Sequence, residues 1–423
     1  MEEQRMKRAR KIAKEEGQQL VTFGKWLMFS LLTGVIVGAV GTAFSFCMTY
    51  VTGLRQTHHW LIYLLPVVGL LIVLLYKLCH QEHNKGTNMV ITAIRTDELI
   101  HARTAPLIFI STILTHLCGG SAGREGAALQ LGGSIGESIG RVFHFDEKDR
   151  TIIIMCGMSA AFSAVFGTPL AAVIFPMEMV SVGVMYYAAL VPCTVASLVA
   201  HEIALLCGLG GEAFPVNAIP DFTLINVGKI GLIGILCAFL SIVFCIVLRR
   251  AEQYLRIWLR NPYLRIAVCG AGIVVLTLIF GTDYNGTGMD VIERAVMDGQ
   301  VFWGAFLLKI VFTAVTLGSG YKGGEIVPSF FLGATFGCLM GQLLGISPML
   351  CAAAGMIGVF CGVTNSPMTS LFISFELFGM NGMFYYLIVI AICYMLSGYF
   401  GLYKSQKIVY SKSEPTYINR RSD

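Results

Sequence analysis

The sequence predicts an all-α polytopic membrane protein built from two related repeats, with broken helices meeting at a central anion site. Three observations carry that expectation. First, 56% of the 423 residues are hydrophobic and 13% are charged. Soluble domains average about 25% charged, so composition excludes an ordinary soluble enzyme. Second, apolar runs long enough to cross a bilayer alternate with shorter ones, the threshold being about 20 residues. Leu27–Tyr50, Ile152–Met177 and Phe384–Leu402 read as spans, whereas Pro106–Leu117 and Leu350–Phe360 are too short. Short, Gly- or Pro-interrupted segments in corresponding positions mark a transporter interior. Third, the chain repeats itself. GMSAAFSAVFGTPLAAVIFPME, 157–178, aligns without a gap on GMIGVFCGVTNSPMTSLFISFE, 355–376, at an offset of 198. Glu325 follows Glu125 by 200 residues, and Gly136 and Gly140 match Gly337 and Gly341 at 201. The repeats are expected to be inverted, although parallel repeats fit the sequence equally.

The elements follow in order. Residues 1–26 carry Arg5, Lys7, Arg8, Arg10, Lys11 and Lys14 among acids and predict an interfacial N-terminal helix. The first apolar run is too long for a signal-peptide core, so no cleavable leader is expected. The first membrane repeat takes 27–206. An external linker takes 207–227, where Lys and Arg are absent from Cys207 to Asn226 and Glu212, Pro215, Pro220 and Asp221 cluster. The second repeat takes 228–410, and 411–423 form a tail. Basic residues gather in both tails, in 77–103 and in 249–265, which places these segments and both termini in the cytoplasm. The net charge of +5 thus speaks of orientation in a membrane and gives no reason to expect nucleic acid. The 13 cysteines lie mostly in apolar runs without a CxxC pair; they predict reduced, buried thiols. No metal or cofactor motif is present.

The stretch GGSAGREGAALQ, Gly119–Gln130, predicts the site. Arg124 and Glu125 stand among glycines inside an apolar chain, and ionisable residues there mark ion pathways. The glycines let the backbone turn and present its N–H groups. A helix beginning at this point offers an anion its free N–H groups and its dipole. Glu125 at that tip would compete with a transported anion. GSGYKGGEIVP, 318–328, is the corresponding break in the second half, with Lys322 and Glu325. Glu178 and Glu376 recur at the same place in both repeats, which favours a structural role. Phe330 and Phe331 read as core. Glu325 reads equally as a helix-capping acid, and Lys322 as a side chain reaching out to water.

Together these motifs resemble the CLC family of chloride channels and proton-coupled anion exchangers, over nearly all of 27–410. GSAGREG resembles the family's G-R-E-G-P, with Ala127 in place of proline. FGTPLAAVIFPME resembles the helix that follows, and GGEIVP stands where most members have G-G-[IV]-F-x-P. IVYS, 408–411, resembles the region of the tyrosine at the inner anion site, which implies Tyr410. Chloride-handling members present G-S-G-I-P, whose serine binds the anion. Here the stretch is Gly86-Thr87-Asn88-Met89-Val90, and Met89 takes or adjoins the selectivity position. The inner proton-transfer glutamate of many chloride exchangers falls at Met179, while a carboxylate appears at Glu325.

These departures resemble the bacterial fluoride-exporting branch, except that Val327 stands where some members have a hydroxyl. The resemblance implies a fluoride/proton antiporter in the bacterial plasma membrane, a homodimer with one pore per subunit. Gly123, Arg124, Gly126, Gly323, Gly324, Ile326, Val327, Met89 and Tyr410 are the implied anion-binding residues, with Glu125 as gating glutamate and Glu325 as inner carboxylate. Only 13 residues follow Tyr410, so no regulatory domain is expected there. A chloride channel or chloride/proton exchanger of the same fold is the alternative. A remote one is an intramembrane hydrolase: 119–123 match G-x-S-x-G, and His116 is near Ser121. His201-Glu202 lacks the second histidine of a zinc protease motif.

Overall fold

The computed structural model describes residues 2–82, 84–96, 98–211, 213–216 and 218–422, and for 2, 3 and 5–13 the backbone alone. The side chains of Arg5, Lys7, Arg8, Arg10 and Lys11, and Glu212, therefore lie outside the described residues. α1 runs from Glu2 to Thr57. The expected separate N-terminal helix is continuous with the first span. Glu, Lys, Arg and Ala dominate 2–16, all good helix formers, so nothing interrupts the backbone before the apolar run.

The remaining helices fall into two similar successions. After α2 (Leu65–Leu78) and α3 (Thr87–Arg95) come α4 (Thr104–Leu117), α5 (Glu125–Val142), α6 (Glu147–Phe166), α7 (Pro169–Met179) and α8 (Leu190–Leu206). The second half opens with the long α9 (Leu224–Trp258), α10 (Pro262–Phe280) and the short α11 (Met289–Glu293). It closes with α12 (Ala305–Ser319), α13 (Ile326–Leu344), α14 (Pro348–Thr364), α15 (Pro367–Phe378) and α16 (Met383–Leu396). Seven described helices are long and apolar enough to cross a membrane. The short ones, α4 and α12 among them, stop partway because glycine runs follow them.

The run Ile152–Met177 is not one span. Gly167 adopts φ +76° and Pro169 begins the next helix, so the chain turns between α6 and α7. Asn365, at φ +58°, and Pro367 do the same between α14 and α15. These turns place a glutamate from each half on the other half. Glu178 accepts from Met368 N at 2.9 Å, Thr369 N at 2.8 Å and Thr369 Oγ1 at 2.7 Å, capping α15. Glu376 accepts from Leu170 N at 2.7 Å and Ala171 N at 3.0 Å, capping α7. Their role is structural, as their recurrence suggests.

Glycine also sets the helix packing. A Cβ on Gly132 would lie 2.1 Å from the carbonyl oxygen of Gly157, and one on Gly333 2.2 Å from that of Gly355. Thus α5 crosses α6, and α13 crosses α14, with backbones in contact. This small-residue packing suits membrane helices, where close approach supplies dispersion energy. Phe330 stacks on Phe166 at 5.5 Å and packs on Phe360 at 5.0 Å, which makes it core. Phe331 is fully buried too.

Phe384–Leu402 is helical only to Leu396, and an irregular segment follows. Then β2 (Lys407–Tyr410) pairs in parallel with β1 (Ser181–Val182) and antiparallel with β3 (Tyr417–Arg421). The tail is thus pinned to the helical body. Gln406 holds this join, donating to Met179 O at 2.9 Å and Thr364 O at 2.8 Å.

Candidate functional site

The two glycine-rich breaks meet. Gly123 N donates to Gly324 O, and Gly324 N to Gly123 O, both at 2.7 Å. Each half lends the other the same pair of bonds, so the starts of α5 and α13 lie side by side. Only glycine permits the approach: a Cβ on Gly126 would sit 2.9 Å from Gly324 Cα, and one on Gly324 2.6 Å from Gly126 N. Gly323 is as confined, its added Cβ falling 2.4 Å from the Ala122 side chain. The first N–H groups of a helix have no intrahelical acceptor. Those of α5 and of α13, where buried Ile326 and Val327 stand, therefore converge on one small volume.

Both breaks are braced from outside. His116 is buried and its ring bonds the carbonyls of Thr112 and Ala122, each at 2.9 Å. Gly286, in the loop after α10, exchanges backbone hydrogen bonds with Gly120 and Ala122. Lys309, fully buried on α12, holds that loop through Tyr284 O at 3.1 Å and Gly286 O at 2.8 Å. The sequence reading passed over Lys309; a lone lysine in the apolar run 305–317 is the signal for it.

Two carboxylates stand at the tips. Glu125 is 1% exposed. Its Oε2 accepts from Arg124 N at 3.1 Å, and its Oε1 faces Arg124 Nε at 3.4 Å. The carboxylate thus lies back over its own helix start. Glu325 is the N-cap residue of α13, yet its side chain makes no capping bond. Its buried Oε2 has no hydrogen-bond partner among the described residues. That oxygen would be 3.5 Å from a Cβ on Gly126. The capping reading of Glu325 therefore does not hold.

Three further polar side chains face this volume, and sequence reasoning missed them. Thr87 Oγ1 donates to Gly126 O at 3.3 Å and accepts from Gln130 Nε2 at 3.3 Å. Tyr403 is buried in the neighbourhood of Glu325 and Glu125, and its hydroxyl bonds no described residue. Tyr410 is not brought to this point. It lies 46% exposed on β2, its ring against Tyr417 at 5.8 Å. Strand pairing turns it toward the surface, and the tyrosine seven residues earlier takes the interior. Met89 is half-buried in the first turn of α3, where its Sδ meets Asn84 Nδ2 at 3.9 Å. Its neighbours Gly86, Thr87 and Asn88 line the adjoining cavity; Met89 does not. Helical spacing explains this, since residues 87 and 89 point about 200° apart.

A cavity opens on each side of the tips. One, of about 560 Å³, is lined by Thr87, Gln130, Lys322, Gly323 and Glu325, with Arg249, Arg256 and Arg265 farther out. The other, of about 490 Å³, has Arg55 and Arg124 on its wall, beside Asp283 and Asp290. Both approaches therefore present arginine to an entering anion. Lys322 does not simply reach out to water: its Nζ lies 4.4 Å from the centroid of the Tyr76 ring.

A hydrolase is not built here. Ser121 Oγ bonds Thr313 Oγ1 at 3.1 Å, and both ring nitrogens of His116 are engaged by carbonyls. No base is left for the serine. Among the described residues no group of His, Cys, Asp and Glu is placed to hold a metal ion.

The family model described as voltage gated chloride channel matches residues 68–398. A chloride/fluoride channel protein of Pseudomonas syringae pv. tomato is 32% identical over 94% of this chain and 90% of its own length. An H(+)/Cl(-) exchange transporter of Vibrio cholerae is 26% identical over 83% and 81%. The crystal structure of a CLC-type fluoride/proton antiporter superposes with a TM-score of 0.87 at 30% identity, covering 90% of this chain and 98% of that one.

Proposed function

Because the chain belongs to the CLC family of voltage gated chloride channels and related anion transporters, and so is no enzyme, we propose that it exports fluoride in exchange for protons. The observation that carries the proposal is a pair of carboxylates at two converging helix starts, Glu125 buried and Glu325 with its Oε2 buried and unpartnered among the described residues. Its likeness to a fluoride/proton antiporter over nearly the whole chain supports it further.

Fluoride is small and strongly hydrated, so its water must be replaced by donors. The N–H groups of the first turns of α5 and α13, around Gly126 and at Ile326 and Val327, supply them, helped by the dipoles of the two helices. The Tyr403 hydroxyl, which bonds no described residue, is the side-chain donor that completes the shell. Met89 contributes one face of α3 to selectivity without touching the anion. Glu125 occupies the site as an anion. Fluoride arriving beside it favours the protonated carboxyl, which swings out and carries the proton opposite to the halide. Glu325 takes or gives the proton on the side of the larger cavity, and the two acids titrate as one coupled pair.

The basic loops and tails face the cytoplasm of a bacterial cell, so the inward proton gradient drives fluoride out. Two such subunits, each with its own pore and the repeats inverted within it, make the functional dimer, and the cell gains fluoride resistance. Proteoliposomes read with a fluoride electrode and a pH electrode test this. Fluoride efflux with stoichiometric proton uptake is the expected result. Equal chloride exchange, or fluoride flux without proton movement, would overturn it in favour of a chloride exchanger or a channel.

A further inference from the structure

We propose that the basic face of the protein carries a built site for the phosphodiester headgroup of an anionic phospholipid. The site is a third cavity, of about 680 Å³, between the end of α2, the start of α10 and the break before α13. This is far more room than a bare halide fills. Five cations line it: Lys77, Arg256, Arg260, Arg265 and Lys322. Glu82 is the one carboxylate on its wall. Among the described residues only Arg256 of the five is ion-paired, to Glu252 at 2.8 Å. Five cations thus face one cavity against the single carboxylate of Glu82, which leaves a favourable field for a multiply hydrogen-bonding anion.

The arginines are prepared for it. Arg265 is anchored by Ser319 O at 3.1 Å and Leu259 O at 3.4 Å, so its guanidinium is held in place with donors to spare. Planar guanidinium groups match phosphate oxygens in pairs. The Tyr76 ring lies beneath Lys322 Nζ.

A lipid is favoured over soluble phosphate by what surrounds the cavity. Leu78, Ile257, Trp258 and Leu264, each one or two residues from a lining cation, are exposed apolar side chains. These helix ends thus carry exposed apolar side chains that acyl chains can cover, as expected where basic pockets between membrane helices hold lipid headgroups. Arg256, Arg265 and Lys322 also line the cavity that leads to Glu325. A bound headgroup therefore shares its cations with the transport path. The inference does not depend on which halide is carried.

Binding of phosphatidylglycerol and of phosphatidylcholine to the purified full-length protein, followed by native mass spectrometry, tests it. Phosphatidylglycerol is expected to bind at least about tenfold more tightly. Lys77→Gln with Arg260→Gln removes two surface cations that make no side-chain hydrogen bond among the described residues. This variant should lose roughly thirtyfold in phosphatidylglycerol affinity, at about a factor of five per cation, and keep its phosphatidylcholine affinity. The charge-matched control Lys148→Gln with Arg421→Gln, remote in sequence from the site, should match the parent. Arg260→Gln alone should give about a fivefold loss if the double variant folds poorly. Equal binding of the two lipids overturns the proposal, as does a double variant that behaves like the control. Displacement of phosphatidylglycerol by millimolar inorganic phosphate would make this a soluble-anion site and overturn the lipid assignment.

Discussion

At the start of α5 the Glu125 carboxylate folds back onto Arg124 N and faces Arg124 Nε, seated on its own helix tip. At the start of α13, two hundred residues later, the Glu325 carboxylate leaves an oxygen unpaired and looks into the larger cavity. The backbones beneath them are nearly the same, joined by reciprocal bonds between Gly123 and Gly324. What differs is one residue of register. Glu125 is the first residue of its helix, while Glu325 is the cap that precedes one. A repeat can therefore hold two helix tips in common and still seat their carboxylates differently, one against its own helix start and one with an oxygen left unpaired.

Several substitutions would break or sharpen that contrast. The largest effect is expected at Glu125. Glu125→Gln removes the titratable group from the site, and proton movement accompanying fluoride should fall to background, a loss of at least about a hundredfold. Glu325→Gln should slow both fluxes together yet leave them coupled. Proton coupling that survives in Glu125→Gln and disappears in Glu325→Gln would exchange the two roles.

The scaffold beneath the tips should respond alike in both halves. Gly132→Ala and Gly333→Ala each drive a methyl into a carbonyl, 2.1 and 2.2 Å from the nearest oxygen. Each should cost about 1–3 kcal/mol or more of stability, as overpacking does, seen as matched falls in thermal unfolding temperature in detergent. A large fall in one variant alone would argue against equivalent helix crossings.

The capping glutamates should be less even. Glu178→Gln gives up a buried acceptor of three hydrogen bonds, and should cost about 2 kcal/mol. Glu376→Gln, with two bonds and more exposure, should cost about 1 kcal/mol. The order of their unfolding temperatures checks this, and the reverse order would show that exposure does not govern the pair.

The smallest effects belong to the two tyrosines. Tyr403→Phe removes a buried hydroxyl facing both carboxylates, and fluoride turnover should fall about three- to tenfold with coupling kept. Tyr410→Phe changes an exposed ring on β2 and should leave flux within error. If Tyr410→Phe were the impaired variant, the inner wall of the site would have to be redrawn around β2.

Composition, the repeat offsets and the glycine clusters were enough to read the architecture, because each is a local demand. A span needs apolar length, a break needs Gly or Pro, and an ionisable group in an apolar chain needs a reason. Glu125, Glu325 and the glycines around them were legible on those grounds, as were the paired roles of Glu178 and Glu376. The error over Ile152–Met177 has the same root: apolar length outweighed Gly167 and Pro169, which end one helix and begin another. What surrounds the tips could not be read that way. Tyr403 stands in an irregular segment and Tyr410 on the short strand after it, and only the pairing of β2 with β1 and β3 turns the later one outward. Thr87 rather than Met89 faces Gly126 because a helical turn, not a motif, sets the direction. Lys322 sits over Tyr76 across 246 residues of sequence. Local chemistry along a chain settles which backbone must bend and which charge must be sheltered; which side chains share a cavity depends on contacts between distant segments, and those exist only once the helices have packed.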